Sequence, residues 1–312
     1  KWKRRAYFVG FTFLALFVLR QLPKTELAQY FPSSRMVLAA DGELLRMSLA
    51  RDEQYRLWVS LDQIAQPMQD AVLMYEDRWF YWHPGVNPWS LVRASYATVM
   101  GQRRIGGSSI SMQLARRVYH MDSRTIGGKL LQLGGALWLE MRYSKRDILE
   151  AYLNSAPYGG NVEGVGAASM IYWRKSASQL NVPEALNLAV IPQNPRKRVG
   201  IQGQSSEPKS LIAARERLAQ SWLAKHPQDK PLIAANGLAL PLRSRSELPF
   251  LAPHLVDAML AGSTQPTIRT TLDLKTQSLI ESLVRDYVKA RAELGIKNAS
   301  AMLMDASSME VK

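Results

Sequence analysis

Residues 75–85 read YEDRWFYWHPG, and the interpretation of this stretch decides the rest of the chain. Two adjacent carboxylates, Glu76 and Asp77, stand with Arg78 and His83 among five aromatic residues, ahead of a Pro-Gly breaker. Burying an unpaired charge is costly, so core helices rarely hold such a pair. Either a helix ends here with its charges in water, or the aromatics wall off a working acid. From Ser60 the hydrophobic period is helical. Ser60 and Gln63 fit a capping box, and Ile64, Met68, Ala71, Val72 and Tyr75 share one face. Glu76 then falls near the C-terminal end of that helix, where the macrodipole disfavours a carboxylate. A carboxylate placed there beside aromatics is a candidate for a raised pKa.

Bulk properties narrow the chemistry. With 312 residues, 47% of them hydrophobic and 21% charged, the chain is globular and long enough for one large core or two domains. Cysteine is absent, which excludes disulfides, thiolate metal sites and a cysteine nucleophile. The four histidines are scattered without metal-ligand spacing, which argues against a zinc enzyme. The net charge of +14 suits nucleic acid, anionic lipid or a phosphorylated substrate, and no nucleic-acid motif is present.

Part of that charge has a location. Residues 1–24 carry Lys1, Lys3, Arg4, Arg5, Arg20 and Lys24 with no acid, and they flank the uncharged run AYFVGFTFLALFVL at residues 6–19. Fourteen helical residues cover about 21 Å, short of a hydrocarbon core of about 30 Å. Trp2 and Leu22 extend the run while the cations snorkel to the interface. No small-residue cleavage site follows it. The reading is an uncleaved, single-pass signal anchor, cytoplasmic end first, with everything after it exported. Beyond it, MVLAADGELLRM (residues 36–47) places two apolar runs around Asp41-Gly42, a hairpin signal. YRLWVSL (residues 55–61) reads as a further strand.

Two more stretches complete the pattern. GGSSISMQLARR (residues 106–117) is a glycine-serine loop entering a helix, whose N-terminal amides suit an anion. SKRDILEAYLNSAPYGG (residues 144–160) has Ser144 as N-cap with Asp147 three residues on, and Ile148, Leu149, Tyr152 and Leu153 facing a core. In this order and spacing the three stretches resemble the family-51 peptidoglycan glycosyltransferases, the membrane-anchored polymerase module of class A penicillin-binding proteins, over roughly residues 37–225. The family's E-D-x-x-F-x-x-H-x-G is matched by Glu76, Asp77, Phe80, His83 and Gly85. Its G-x-S-T-I-x-x-Q is matched by Gly106, Ser108, Ser109 in place of threonine, Ile110 and Gln113. Its K-x-x-I-L-x-x-Y-L-N is matched by Lys145, Ile148, Leu149, Tyr152, Leu153 and Asn154.

The resemblance implies a mainly α, lysozyme-like helical domain with a small N-terminal β element and the N-terminal transmembrane helix. It implies Glu76 as the base that takes a proton from the acceptor's 4-hydroxyl as that oxygen attacks C1 of a lipid-linked donor. The aromatics around Glu76 build its pocket. Ser108, Gln113, Arg116, Arg124, Lys129 and Lys145 are the positions expected to meet the departing polyprenyl pyrophosphate. Asp77, Arg78, Phe80, His83, Gly85, Ser109, Gln132, Tyr152 and Asn154 complete the expected substrate site. The family's third motif, R-K-x-x-E, departs here to Gly128, Lys129, Leu130, Leu131 and Gln132. Gln132 cannot ionise, and Glu140 is about 12 Å further along the same helix. This combination resembles the penicillin-binding protein 1C branch and puts metal assistance by magnesium or manganese in question, with no cofactor otherwise implied. Arg215 to Leu218 loosely represents the fifth motif.

The expected organisation is residues 1–24 as basic tip and anchor, 25–59 as a β-hairpin linker region, 60–225 as the glycosyltransferase domain, 226–267 as linker and 268–312 as the start of a truncated transpeptidase domain. The only S-x-x-K string, Ser206 to Lys209, lies in a polar loop without companion motifs. Expected partners are lipid II and the growing glycan chain, inner-membrane lipid and other cell-wall synthesis proteins, at the periplasmic side of the inner membrane. Two other readings stand beside a processive glycosyltransferase: a lytic glycoside hydrolase, and a non-catalytic scaffold motivated by Gln132.

Overall fold

The computed structural model describes residues 18–89, 107–122, 125–199, 207–236 and 245–312, with positions 92, 93, 96, 100, 238, 242 and 243 between them. In chain order the longer elements begin with β1 (Met36–Leu38), β2 (Leu44–Met47), α1 (Gln66–Glu76), α2 (Ile110–Val118), α3 (Ile126–Arg142) and α4 (Lys145–Ser155). There follow β3 (Pro157–Gly159), β4 (Val162–Glu163), α5 (Val165–Trp173), α6 (Val182–Val190), the single turn α7 (Pro195–Arg198), α8 (Lys209–Leu223) and α9 (Lys230–Asn236). Last come α10 (Pro253–Gly262), β5 (Thr267–Arg269) and α11 (Leu274–Ala290). The chain is mainly helical with little sheet, as expected. The anchor expected at residues 6–19 lies almost wholly outside the described residues. Among the described residues no helix is long and apolar enough to cross a membrane.

Contacts divide the chain into two compact units, one of residues 1–32 and 52–244, the other of residues 33–51 and 245–312. In the first, α2 packs against α3 and α4, and α1 packs against α6 and α8. The local chemistry accounts for the helix starts. At α4 the Ser144 hydroxyl accepts from Asp147 N at 3.1 Å while Asp147 Oδ2 accepts from Ser144 N at 3.0 Å, the reciprocal cap that the sequence predicts. Asn181 and Glu184 do the same for α6. Ser109 caps α2, its hydroxyl accepting from Met112 N at 3.2 Å.

Two local expectations need correction. The predicted capping box at Ser60 does not form: a short 3₁₀ turn, Leu61–Gln63, comes first, and α1 starts only at Gln66, with proline in its first turn and no side-chain cap. Met68, Ala71 and Val72 are nevertheless the buried face of α1. The strand expected at residues 55–61 reduces to one bridge, Tyr55 to Val162. Its backbone is held by side chains instead. Asn154 Oδ1 accepts from Val59 N at 2.8 Å, and Glu150 Oε2 accepts from Leu61 N at 2.8 Å.

In the second unit, β1 and β2 form the predicted hairpin, with Gly42 at φ +91° in its turn. The sequence does not announce its partner: β1 also pairs in parallel with β5, Val37 opposite Ile268. A small core of Val37, Ala39, Leu45, Val256, Ile268 and Leu272 closes that sheet against α10. The segment read as a linker, residues 226–267, therefore contains α9 and α10, and it divides, residues 226–244 belonging to the first unit and 245–267 to the unit of the hairpin.

Candidate active site

The site grows from the C-terminal end of α1. Glu76 is its last residue, and Asp77 leaves the helix with non-helical backbone. Asp77 is buried, and both its oxygens lie 3.0 Å from His83 Nε2, while Oδ2 also accepts the amide of Ile110 at 3.0 Å. One carboxylate thus pins the aromatic loop to the first turn of α2. A second tie runs from the Ser109 hydroxyl to the carbonyl of Gly85. Gly85 sits at φ +89°, and a Cβ there would come within 2.8 Å of the Glu140 side chain and 2.9 Å of the Ala136 carbonyl. Only glycine fits this approach of loop to α3.

With loop and helix locked, Glu76 meets Gln113. Gln113 Nε2 donates to Glu76 Oε2 at 2.7 Å, and the Tyr152 hydroxyl donates to Gln113 Oε1 at 3.5 Å. Burial holds the Tyr152 phenol far above its ordinary range, so it stays protonated and fixes which way the Gln113 amide points. The other carboxylate oxygen, Glu76 Oε1, is closed off from water and has no hydrogen-bond partner. Desolvation therefore raises the Glu76 pKa, against the opposing effects of the Gln113 bond and the Arg198 charge. Of the two readings of residues 75–85, the geometry supports a desolvated acid, but Trp79, Tyr81 and Trp82 are exposed and do not enclose it.

A cavity of about 1270 Å³ opens beside Glu76. Glu76, Asp77, Arg78, His83, Ser108, Ser109, Gln113 and Arg116 line it among the expected residues. Lys129 does not. Its ammonium lies behind Ser108, donating to the Ser108 hydroxyl at 2.5 Å and to Gln132 Oε1 at 2.9 Å. Gln132 Nε2 in turn donates to the Met112 carbonyl at 2.7 Å, so the glutamine ties α3 to α2 and aims the lysine. Burial, with the Arg116 charge nearby, lowers the Lys129 pKa.

The other expected residues support the walls. Phe80 is fully buried, and the Lys145 ammonium sits 4.3 Å from its ring centre while donating to the His83 carbonyl and Glu140 Oε1, both at 2.7 Å. Asn154 is fully buried and clamps the Val59 backbone. Arg124 lies outside the described residues. The cavity carboxylates do not make a cage for a divalent cation. Asp77 is committed to His83 and the Ile110 amide, and among the described residues no three His, Asp or Glu side chains converge.

Sequence reasoning missed the opposite wall. Gln193 lines the cavity, and its Oε1 accepts from the Tyr75 hydroxyl at 2.7 Å and from Arg198 Nη2 at 2.8 Å. Arg198 also lies 5.5 Å from the Tyr75 ring centre. Tyr75 and Gln193 are 118 residues apart, and no local spacing signals their meeting.

The first unit thus presents one desolvated carboxylate at a wide cavity that Arg78, Arg93 and Arg116 also line. The family profile described as Transglycosylase matches residues 41–220. Penicillin-binding protein 1C of Escherichia coli is 35% identical over 281 residues, covering 89% of this chain and 36% of that protein. The biosynthetic peptidoglycan transglycosylase of Pasteurella multocida is 37% identical over 198 residues, covering 62% of this chain and 78% of that protein. A crystal structure of penicillin-binding protein 1A from Haemophilus influenzae matches at 19% identity over 88% of this chain and 32% of that one, with a TM-score of 0.37, too low to bear on the fold. The chain belongs to the transglycosylase family, and its first unit carries a glycosyltransferase module. It spans about a third of the length of the penicillin-binding protein 1C it matches.

Proposed function

We propose that this chain polymerises lipid-linked disaccharide-pentapeptide into peptidoglycan glycan strands. The observation that carries the reading is Glu76, a desolvated carboxylate that lines the cavity with Oε2 held by Gln113 and Oε1 without a hydrogen-bond partner. Such an oxygen is poised to accept a proton. The acceptor's 4-hydroxyl oxygen forms the new bond to C1 of the donor sugar from the face opposite the leaving group. Its proton passes to Glu76, and the C1–oxygen bond to the polyprenyl pyrophosphate breaks with the electron pair going to the phosphate. The configuration at C1 inverts. The departing anion meets Arg116 and the Ser108 hydroxyl. Because Ser108 accepts from Lys129, its own hydrogen is free to be donated into the cavity, so it delivers the lysine's charge without direct contact.

A hydrolase of the two-carboxylate kind needs a second acid across the sugar. Asp77 is the other cavity carboxylate, and its oxygens are occupied. The finer placement follows from the sequence: residues 6–19 anchor the chain in the cytoplasmic membrane with the catalytic unit outside, and residues 268–312 begin a transpeptidase domain. Incubation with labelled lipid-linked precursor tests the function. The expected product is polymer that lysozyme digests, and shortening of preformed glycan without elongation overturns the reading.

A further inference from the structure

Gln193 lines the cavity, and the reaction assigned above gives it no part. It closes the 3₁₀ turn Ile191–Gln193 that follows α6. Ile191 and Pro192 are buried, so the turn is held from behind while the Gln193 side chain stands exposed. The direction of its amide is also fixed. Oε1 accepts from the Tyr75 hydroxyl at 2.7 Å and from Arg198 Nη2 at 2.8 Å. A guanidinium only donates, so the atom facing Arg198 must be the oxygen. Arg198 is itself buried and tied to the Val190 carbonyl. Burial raises the Tyr75 phenol pKa, which keeps its hydrogen in place.

Two donors therefore saturate the oxygen, and Nε2 has no protein partner among the described residues. A glutamate at this position would satisfy the same two donors. What glutamine adds is a nitrogen with two hydrogens, a donor to an oxygen that substrate brings into the cavity. That oxygen is a neutral one, because Arg78, Arg93 and Arg116 line the same cavity and suit charged oxygens better than an amide does. On a sugar the hydroxyls both donate and accept, whereas the carbonyl of an acetamido group only accepts. Position chooses the sugar. Gln193 is held by Tyr75, the neighbour of Glu76 in α1, and Arg198 is close enough for its charge to act on Glu76. The sugar whose hydroxyl gives its proton to Glu76 is the one beside Gln193.

We propose that Gln193 is a specificity-determining residue, its Nε2 donating to the acetamido carbonyl of the acceptor sugar while Tyr75 and Arg198 hold the amide in that direction. The proposal rests on the glycosyl transfer assigned above. The bond exists in the bound substrate and in the transition state alike, so it contributes to binding and leaves the chemical step unchanged. One neutral hydrogen bond of this kind corresponds to about a two- to tenfold change.

Polymerisation by the full chain tests it, with native lipid-linked precursor and with precursor whose non-reducing sugar is 2-deoxy and so lacks the acetamido group. Gln193→Met keeps the length of the side chain and cannot donate. On native precursor it should raise KM about two- to tenfold and leave kcat unchanged. On the 2-deoxy precursor, variant and wild type should share one KM. Gln193→Glu, which keeps an oxygen for Tyr75 and Arg198, serves if the methionine variant melts lower, and the same KM pattern is expected of it. An unchanged KM on native precursor, a loss in kcat alone, or an equal rise in KM on both precursors would overturn the proposal. A wild type that does not polymerise native precursor would instead refute the glycosyl transfer itself, and the proposal with it.

Discussion

Replacing Glu76 by glutamine separates its role in the reaction from its role in the fold. The substitution keeps shape and volume, and the new carbonyl oxygen can still accept from Gln113, 2.7 Å away in the wild type. The amide nitrogen then takes the place of Oε1, the oxygen without a partner, and a nitrogen carrying hydrogens cannot accept a proton. Positioned general-base catalysis contributes roughly 10²–10⁴-fold, so kcat should fall by that factor, about 2.7–5.4 kcal/mol. KM should change little, because the rest of the cavity wall is untouched. Stability should move the other way. The folded pKa of Glu76 lies above the 4.5 of an ordinary glutamate, chiefly through desolvation. Below 4.5 both states are protonated and no penalty exists. As pH rises, the unfolded chain ionises first, so the wild type loses stability until the raised folded pKa is passed, and the deficit then persists. The variant should accordingly melt higher than wild type at neutral pH, and the difference should shrink below pH 4.5. For the same reason the ascending limb of the wild-type kcat/KM profile should lie above 4.5. Polymerisation of a fluorescent lipid-linked precursor and thermal melting at two pH values make the comparison. A variant with more than about a tenth of the wild-type rate, or one that melts lower at neutral pH, would make Glu76 a structural residue.

Two further outcomes concern residues behind the wall. Lys129→Ala removes a hydrogen bond from a charged group, worth about 1.5–3 kcal/mol, and should slow turnover about ten- to hundredfold by lowering kcat. EDTA should cost the wild type less than this, and a greater loss to chelation would reveal a metal site. Because burial lowers the Lys129 pKa, the alkaline limb of the rate profile should lie below 10.5, and Lys129→Arg should move it upward, since arginine does not deprotonate. Asn154→Ala should leave KM unaltered but destabilise the fold by about 1–3 kcal/mol, read by chemical denaturation, because it removes both partners of the half-buried Val59 backbone.

The parts of the fold and site that were legible in the sequence are those whose physics is local. The Ser144 cap needs only Asp147 three residues on, and the hairpin needs only Asp41-Gly42 between apolar runs, so short-range rules find both. The family resemblance reached further, because Glu76, Ser108 and Gln113 stand in a fixed order along the chain. It could not say which of its residues touch the cavity. Lys129 and Lys145 both promised a counter-charge for the leaving group, yet one donates to Ser108 behind the cavity wall and the other is turned back onto Phe80 and Glu140. That distinction depends on how α3 rolls against α2. The roll is set by the Gln132–Met112 bond and by the room that Gly85 leaves for Glu140, neither of which has a sequence period. The Tyr75–Gln193–Arg198 wall was invisible for the same reason, since it forms only when α7 returns to α1. The departure at Gln132 reads differently in this light. Taken alone in the sequence, it removes a carboxylate and suggests a weakened enzyme. In the fold it supplies what a carboxylate cannot: its amide nitrogen donates to a backbone carbonyl while its oxygen holds the lysine. An ionised glutamate there would set acceptor against acceptor at Met112 and would put a negative charge beside Lys129. The glutamine therefore orients Lys129 without placing a negative charge beside it.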